Sequence, residues 1–244
     1  MALPYDLAPP RTASLGLIVL ETDETLENEA RRAIPAEASL HHTRIYSAPI
    51  VTPETLAEME AKLPHTATTF PGHVTYDAIA YCCTSGATVI GQDKVAAAIH
   101  SAHPTARTTD PITAVMAALT ALNAKRIGLL TPYTLDVSAA MQALLEANGF
   151  EITAFGAFEE AEEAKVARIN EASTLAAMLD VGASDAVDAV FASCTNLNTF
   201  GVIDAAEQAL GKPVISSNSA LIWHLCRLAG QNAAIPGALG RLAT

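Results

Sequence analysis

Basic residues are scarce in this 244-residue sequence: Lys and Arg together number 14 against 26 Asp and Glu, for a formal net charge of −12. A nucleic acid or an anionic membrane needs clustered cations to displace its counterions, so neither is an expected partner, and a small molecule is. No apolar run approaches the roughly 20 residues of a membrane span. Residues 1–11 lack the basic-then-apolar order of a secretory signal, which places the protein in the cytoplasm. Cysteines number only four. Cys82 adjoins Cys83, while Cys194 and Cys226 lie far off, so no C-x-x-C metal pair exists, and the thiols of a cytoplasmic chain stay reduced. The histidines have no metal-ligand spacing, and there is neither a Walker loop nor a G-x-G-x-x-G turn. The chain is therefore expected to work without metal, nucleotide or other cofactor. Aromatics make up 5% of residues, yet half the chain is apolar, a composition that suits helices packed closely on sheets.

Short apolar runs alternate with helix-like stretches along the whole length, the pattern of a parallel sheet covered on both faces. Eight strands are expected, at 15–20, 43–48, 78–82 and 105–108, then at 126–130, 152–155, 186–192 and 214–216. The second four repeat the first. Gly16-Leu17-Ile18 meets Gly128-Leu129-Leu130 at an offset of 112 (128 − 16), and Cys83-Thr84 meets Cys194-Thr195 at 111 (194 − 83). A polar turn and an apolar helix follow the fourth strand in both sets, at Asp110-Pro111 and at Asn218-Ser219. The expected fold is thus α/β: two similar doubly wound domains, each with a four-stranded parallel sheet, related by pseudo-twofold symmetry. Residues 1–110 with a returning 219–244 form one domain and 111–218 the other. Ligands of such sheets bind beyond the carboxyl ends of the strands, so the active site is expected between the domains.

Both Cys-Thr turns lie at such strand ends. In Tyr81-Cys82-Cys83-Thr84-Ser85-Gly86 and in Ala192-Ser193-Cys194-Thr195-Asn196, a strand gives way to a thiol, then to hydroxyl or amide side chains, then to a helix-like stretch. A thiol before the free N–H groups of a helix start feels positive potential, which favours thiolate and makes Cys83 and Cys194 candidate catalytic residues. The neighbouring Thr84, Ser85, Thr195 and Asn196 can hold a carboxylate. Successive strand side chains alternate between faces, so Cys82 is expected to point away from Cys83 and serve as core. Trp223 and Cys226 recur at helical spacing and are also read as core. The acidic run Glu159-Glu160-Ala161-Glu162-Glu163 is read as a solvated helix start.

Two facing thiols suit two reactions on a small carboxylate. One thiolate can take a proton from carbon while the opposite thiol returns one to the other face, which is racemisation. Alternatively, one thiolate adds to an activated alkene, the new single bond rotates and expulsion leaves the other isomer.

On Gly16-Leu17-Ile18-Val19, Thr25-Leu26-Glu27, Cys83-Thr84-Ser85-Gly86, Leu130-Thr131-Pro132-Tyr133, Ser193-Cys194-Thr195-Asn196-Leu197 and Lys212-Pro213-Val214-Ile215-Ser216-Ser217-Asn218, the chain resembles the aspartate/glutamate racemase superfamily. Within it, the resemblance is to the branch of maleate cis–trans isomerase, arylmalonate decarboxylase and ectoine-utilisation racemase-like proteins. It implies an isomerase with Cys83 and Cys194 as the catalytic pair, Tyr133 as a substrate contact, and Thr84, Ser85, Thr195 and Asn196 as carboxylate holders. The decarboxylases resemble a one-cysteine variant with glycine at the first site, so two cysteines favour a racemase or a cis–trans isomerase. One departure stands out. Where the isomerases carry an asparagine that helps hold a carboxylate, this chain has Asp23. Ionised, Asp23 would repel a carboxylate and welcome an ammonium or amidinium, which turns the expectation from maleate towards an amino-acid-like or ectoine-like substrate. Alternatively, Asp23 serves the first turn of the next helix. A decarboxylase-like enzyme, or a non-catalytic binding protein for small acids, stays open at this stage. So does assembly as a homodimer or homotetramer.

Overall fold

The computed structural model describes residues 1–242. Eight strands run β1 (Ser14–Leu20), β2 (Ser39–Ile45), β3 (Ala78–Cys82), β4 (Arg107–Thr109), β5 (Arg126–Thr131), β6 (Glu151–Ala157), β7 (Ala189–Ala192) and β8 (Val214–Ser216). Among the described residues, twelve helices separate or follow them. In the first half these are α1 (Leu26–Ala33), α2 (Pro53–Ala57), α3 (Met59–Ala67), α4 (Thr84–Ile90), α5 (Gln92–His100) and α6 (Pro111–Ala121). In the second they are α7 (Leu135–Ala147), α8 (Glu163–Val166), α9 (Glu171–Gly182), α10 (Ile203–Leu210), α11 (Ser217–Leu228) and α12 (Gly237–Gly240).

The strands form two parallel sheets, ordered β2-β1-β3-β4 and β6-β5-β7-β8. The two halves share one topology, and the register preserves the repeat: Gly16 pairs with Ile79 in the first sheet and Gly128 with Val190 in the second. Strand order reverses between β1 and β3 in one sheet and between β5 and β7 in the other, which makes the turns after these four strands the ones that line a crevice. The central strands are buried along nearly their whole length, as unbroken apolar runs require.

The edges depart from the sequence reading. β2 begins at Ser39 rather than at residue 43, because Ser39–Ile45 pairs residue for residue with β1. Its Ser-Leu-His-His-Thr-Arg-Ile sequence is half-exposed and polar and so carries no apolar signal. β7 is shorter than residues 186–192, since the Val187 N–H closes a turn onto the Ser184 carbonyl. The helix expected directly after Cys194 is also displaced. Turns occupy that stretch, and α10 starts only at Ile203.

The starts of α6 and α11 are well marked. Asp110 Oδ1 accepts from the N–H groups of Ile112 and Thr113 ahead of Pro111, and Ser216 and Ser219 form a reciprocal capping box. The two helices so begun, α6 and α11, pack against each other, and α11 also lies on β3 and β4. Trp223 and Cys226 are in this core, as expected.

The paired glycines Gly16 and Gly128 let neighbouring elements approach the strands closely. A Cβ on Gly128 would stand 2.5 Å from the backbone carbonyl oxygen of Val181 in α9, whereas one on Gly16 would stand 3.0 Å from the Phe70 ring. A ring can shift more easily than a helix backbone. Gly128→Ala is therefore expected to destabilise by about 1–3 kcal/mol and Gly16→Ala by less. Urea unfolding checks this, and equal losses would contradict it.

Candidate active site

Four strand ends deliver the site. The turn after β1 brings Asp23, that after β3 Cys83, that after β5 Tyr133, and that after β7 Cys194 and Asn196. Cys82 and Cys83 point to opposite faces of their sheet: Cys82 packs with Leu15, Val19 and Ile215 in one cluster, Cys83 with Ile18 and Tyr81 in another. That second cluster also holds Cys194, Tyr133 and Leu197 from the other half. Both thiols are free and closed off from bulk solvent, with 3% and 2% of Cys83 and Cys194 exposed.

Their immediate partners differ. Cys83 is the N-cap of α4, and its Sγ accepts from the Gly86 N–H at 3.2 Å. Cys194 sits at φ = 104°, a conformation that costs a non-glycine residue about 1–3 kcal/mol and that marks a position held in place by its surroundings. Its Sγ accepts from the Asn196 N–H at 3.2 Å and lies 2.9 Å from the Tyr133 hydroxyl. That hydroxyl donates to Glu163 Oε1 at 2.8 Å, and Asn196 Nδ2 donates to Glu163 Oε2 at 2.8 Å.

The profile of the arylmalonate decarboxylase family (Amdase) matches residues 52–243. The chain belongs to this family. A maleate isomerase of Nocardia farcinica (strain IFM 10152) is 29% identical to it over 239 residues, 93% of this chain and 94% of that protein. Arylmalonate decarboxylase of Bordetella bronchiseptica is 34% identical over 133 residues, 53% of this chain and 55% of the other. Among solved structures, a mutant of the Nocardia farcinica maleate cis-trans isomerase carrying a covalently bound succinylcysteine intermediate superposes with a TM-score of 0.85. It is 27% identical, and the match covers 95% of this chain and 99% of that one.

In this member of the family the hydroxyls beside the cysteines largely join the halves together. Thr84 Oγ1 and Ser217 Oγ lie 2.7 Å apart, and Thr195 Oγ1 donates to the Cys82 carbonyl at 3.2 Å. The Asn196 amide is likewise engaged: its Oδ1 accepts from the Glu24 N–H at 2.8 Å while Nδ2 holds Glu163. Ser85 Oγ, by contrast, is buried without a partner.

Asp23 serves the first turn of the next helix, one of the two roles considered for it. Oδ1 accepts from the N–H groups of Thr25 and Leu26 at the start of α1, at 2.9 and 2.8 Å, while Oδ2 is buried and unpartnered. Glu163 is a residue that sequence reasoning misplaced. The acidic run does start a helix, α8, but its last member turns inwards and is only 3% exposed. Backbone pairing with the other half fixes it there: the Glu163 N–H donates to the Pro49 carbonyl and the Val51 N–H to the Ala161 carbonyl. No local signal separates Glu163 from its solvated neighbours.

Burial dominates the electrostatics. It pushes Cys83 up to about 12 and Cys194 well above the ordinary thiol value, and the charge of Glu163 adds to both effects. The thiolates expected from a helix-start potential are therefore not the resting state, because loss of hydration outweighs the N–H groups. Glu163 is raised for the same reason, against the hydrogen bonds from Asn196 and Tyr133.

Asp23 is raised by burial from 3.8 to about 7. Between those values the folded protein holds a proton that the unfolded chain has released, so this group's contribution to stability falls as pH rises through the window and is level above it. Asn at position 23 keeps the Oδ1 acceptor and does not titrate. Urea unfolding of wild type and Asp23→Asn should therefore show the wild type losing ground to the variant by roughly 1 kcal/mol per pH unit between about pH 4 and pH 7. A difference that does not change with pH would mean that Asp23 is ionised throughout.

Proposed function

We propose that the chain is a cofactor-independent isomerase that interconverts the cis and trans forms of a small unsaturated dicarboxylate of the maleate type, with Cys83 and Cys194 as its two reagents. The observation that carries this reading is the union of the two thiols, from equivalent turns of the two halves, in one buried cluster with Tyr133. A one-thiol decarboxylase would have no use for the first of them.

Once ionised, the Cys83 sulfur attacks one alkene carbon. The C–S bond forms, the π pair moves to the neighbouring carbon, and that carbon takes the proton of the Cys194 thiol. The former double bond is now single and rotates. The Cys194 thiolate then removes the proton again, the electron pair restores the double bond, and the C–S bond breaks to release Cys83. A succinylcysteine, the intermediate trapped in the Nocardia farcinica relative, is the saturated adduct of such a sequence. The N–H groups of Gly86 and Asn196 favour the transient thiolates. Ser85 Oγ, the N–H groups of Thr84 and Ser85 at the start of α4, and the neutral form of Asp23 are the donors left to receive substrate carboxylates. With Asp23 near half-protonated at neutral pH, the anion is no longer repelled outright.

The unpaired Asp23 Oδ2 favours a second reading, racemisation of an amino-acid-like or ectoine-like acid whose cationic group meets that oxygen. Incubation in D2O with maleate and with enantiopure amino acids separates the two. Fumarate formation supports addition and rotation, whereas deuterium at the α-carbon with loss of optical purity supports proton transfer. On either path Cys83→Ala and Cys194→Ala should each lower turnover by at least about a hundredfold while leaving the urea midpoint near that of wild type. Full activity in either variant would refute a two-thiol mechanism.

A further inference from the structure

Cys194 has to be a thiolate whenever it takes a proton from carbon, at the start of racemisation and at the close of cis–trans isomerisation, in a place that disfavours its thiolate. The side chains around it form a continuous chain of hydrogen bonds. With Glu163 ionised, Tyr133 donates its only hydroxyl proton to Glu163 Oε1 at 2.8 Å, which leaves the sulfur as donor and the phenol oxygen as acceptor across the 2.9 Å contact with Cys194. Cys194, Tyr133 and Glu163 thus point their protons one way, from thiol to phenol to carboxylate. Asn196 fixes the far end by donating to Glu163 Oε2 at 2.8 Å and to the Glu163 carbonyl at 3.2 Å. All four residues are buried.

We infer that Glu163 is a positioning residue that acts through Tyr133, as the terminal acceptor of a proton relay that ionises Cys194. The Cys194 S–H bond breaks as its proton passes to the Tyr133 oxygen, and the Tyr133 O–H proton passes to Glu163. The products are a Cys194 thiolate, an unchanged phenol and a neutral carboxylic acid. Return of the same two protons restores the thiol. No proton crosses to solvent, so the relay runs inside the closed site, and no co-reactant is needed.

A carboxylate that merely sat near the thiol would do the opposite, since its charge opposes thiolate formation. The two roles differ in sign and in pH dependence. With the relay, thiolate forms by internal transfer at constant net charge, so its population is level with pH once Glu163 has ionised. Without it, thiolate requires net loss of a proton and rises about tenfold per pH unit up to the thiol pKa. The other titratable groups facing this trio are Asp23 after β1 and Cys83 after β3. Glu160, Glu162 and Lys165, on the same segment as Glu163, pair with one another at the surface.

The inference deepens the isomerase reading, but its test uses no turnover, so the two fail separately. Iodoacetamide alkylation of Cys194 is followed against pH by peptide mass spectrometry in wild type, Glu163→Gln and Tyr133→Phe, with Cys83 in the same digests reporting access. Tyr133→Phe breaks the chain without disturbing the Asn196 contact. The relay predicts a level rate for wild-type Cys194 around neutral pH. In both variants it predicts a rate at least about tenfold lower there, rising with pH, with Cys83 unaffected by Tyr133→Phe. A wild-type rate that climbs steadily with pH, together with a Glu163→Gln rate equal to or above it, would overturn the relay and leave Glu163 as a charge that merely suppresses the thiolate. Where the closed site excludes the reagent from both thiols, thiolate ultraviolet absorbance in a Cys83→Ala background reads the same titration. A level thiolate signal that Tyr133→Phe abolishes supports the relay, and a single late rise in all variants overturns it.

Discussion

Two thiols and two carboxyl groups are withdrawn from water into the seam between the halves, and everything near them is arranged around the loss of their hydration. Desolvation of a charge is worth several kcal/mol before compensation, so polar groups in the seam must find partners across it. Glu29 of α1 shows how thoroughly this is done. Its Oε1 accepts from the N–H groups of Thr199 and Phe200, and its Oε2 from Asn218 Nδ2, which also donates to the Thr195 carbonyl. Asn196, Thr195 and Ser217 add bonds to the first half. The site is held closed by a network whose members would each be left buried and unsatisfied if a partner were lost, and such networks are stiff. The few polar atoms without partners, Asp23 Oδ2 and Ser85 Oγ among them, are the exceptions to be expected where a ligand completes the set.

The two halves present equivalent turns, yet they do not carry equivalent chemistry. Cys83 caps a helix directly and keeps Tyr81 nearby, whereas Cys194 precedes a run of turns, holds an unusual backbone angle and faces the Tyr133–Glu163 pair. The place of Tyr133 in the repeat corresponds to Glu21 in the first half, which offers no phenol to Cys83. Each sulfur thus accepts one backbone N–H, and only Cys194 also meets a phenol that is bonded to a carboxylate. That asymmetry fits a reaction in which one thiol bonds to carbon and the other carries a proton.

Much of this was legible in the residues. The alternation of apolar runs located the central strands, because a strand buried on both faces has no choice but to be apolar. The offsets of 112 and 111 between the halves reappear as matching strand registers. Alternation along β3 told Cys82 from Cys83, since neighbouring side chains must part to opposite faces. The half-exposed edge β2 was misplaced for the complementary reason: a strand wetted on one side is free to be polar, and its bounds are set by pairing with β1 rather than by composition.

What the sequence by itself determined, then, was the repeated α/β half and the presence of a thiol at each of two equivalent strand ends, since both follow from local periodicity and order along the chain. Only the tertiary structure decided how far burial raises those thiols, the hold of Asp23 on the start of α1 and the inward turn of Glu163. Each of these depends on how much water is excluded and on which distant groups cross the seam, and burial and long-range pairing are properties of the folded whole that no stretch of residues encodes alone.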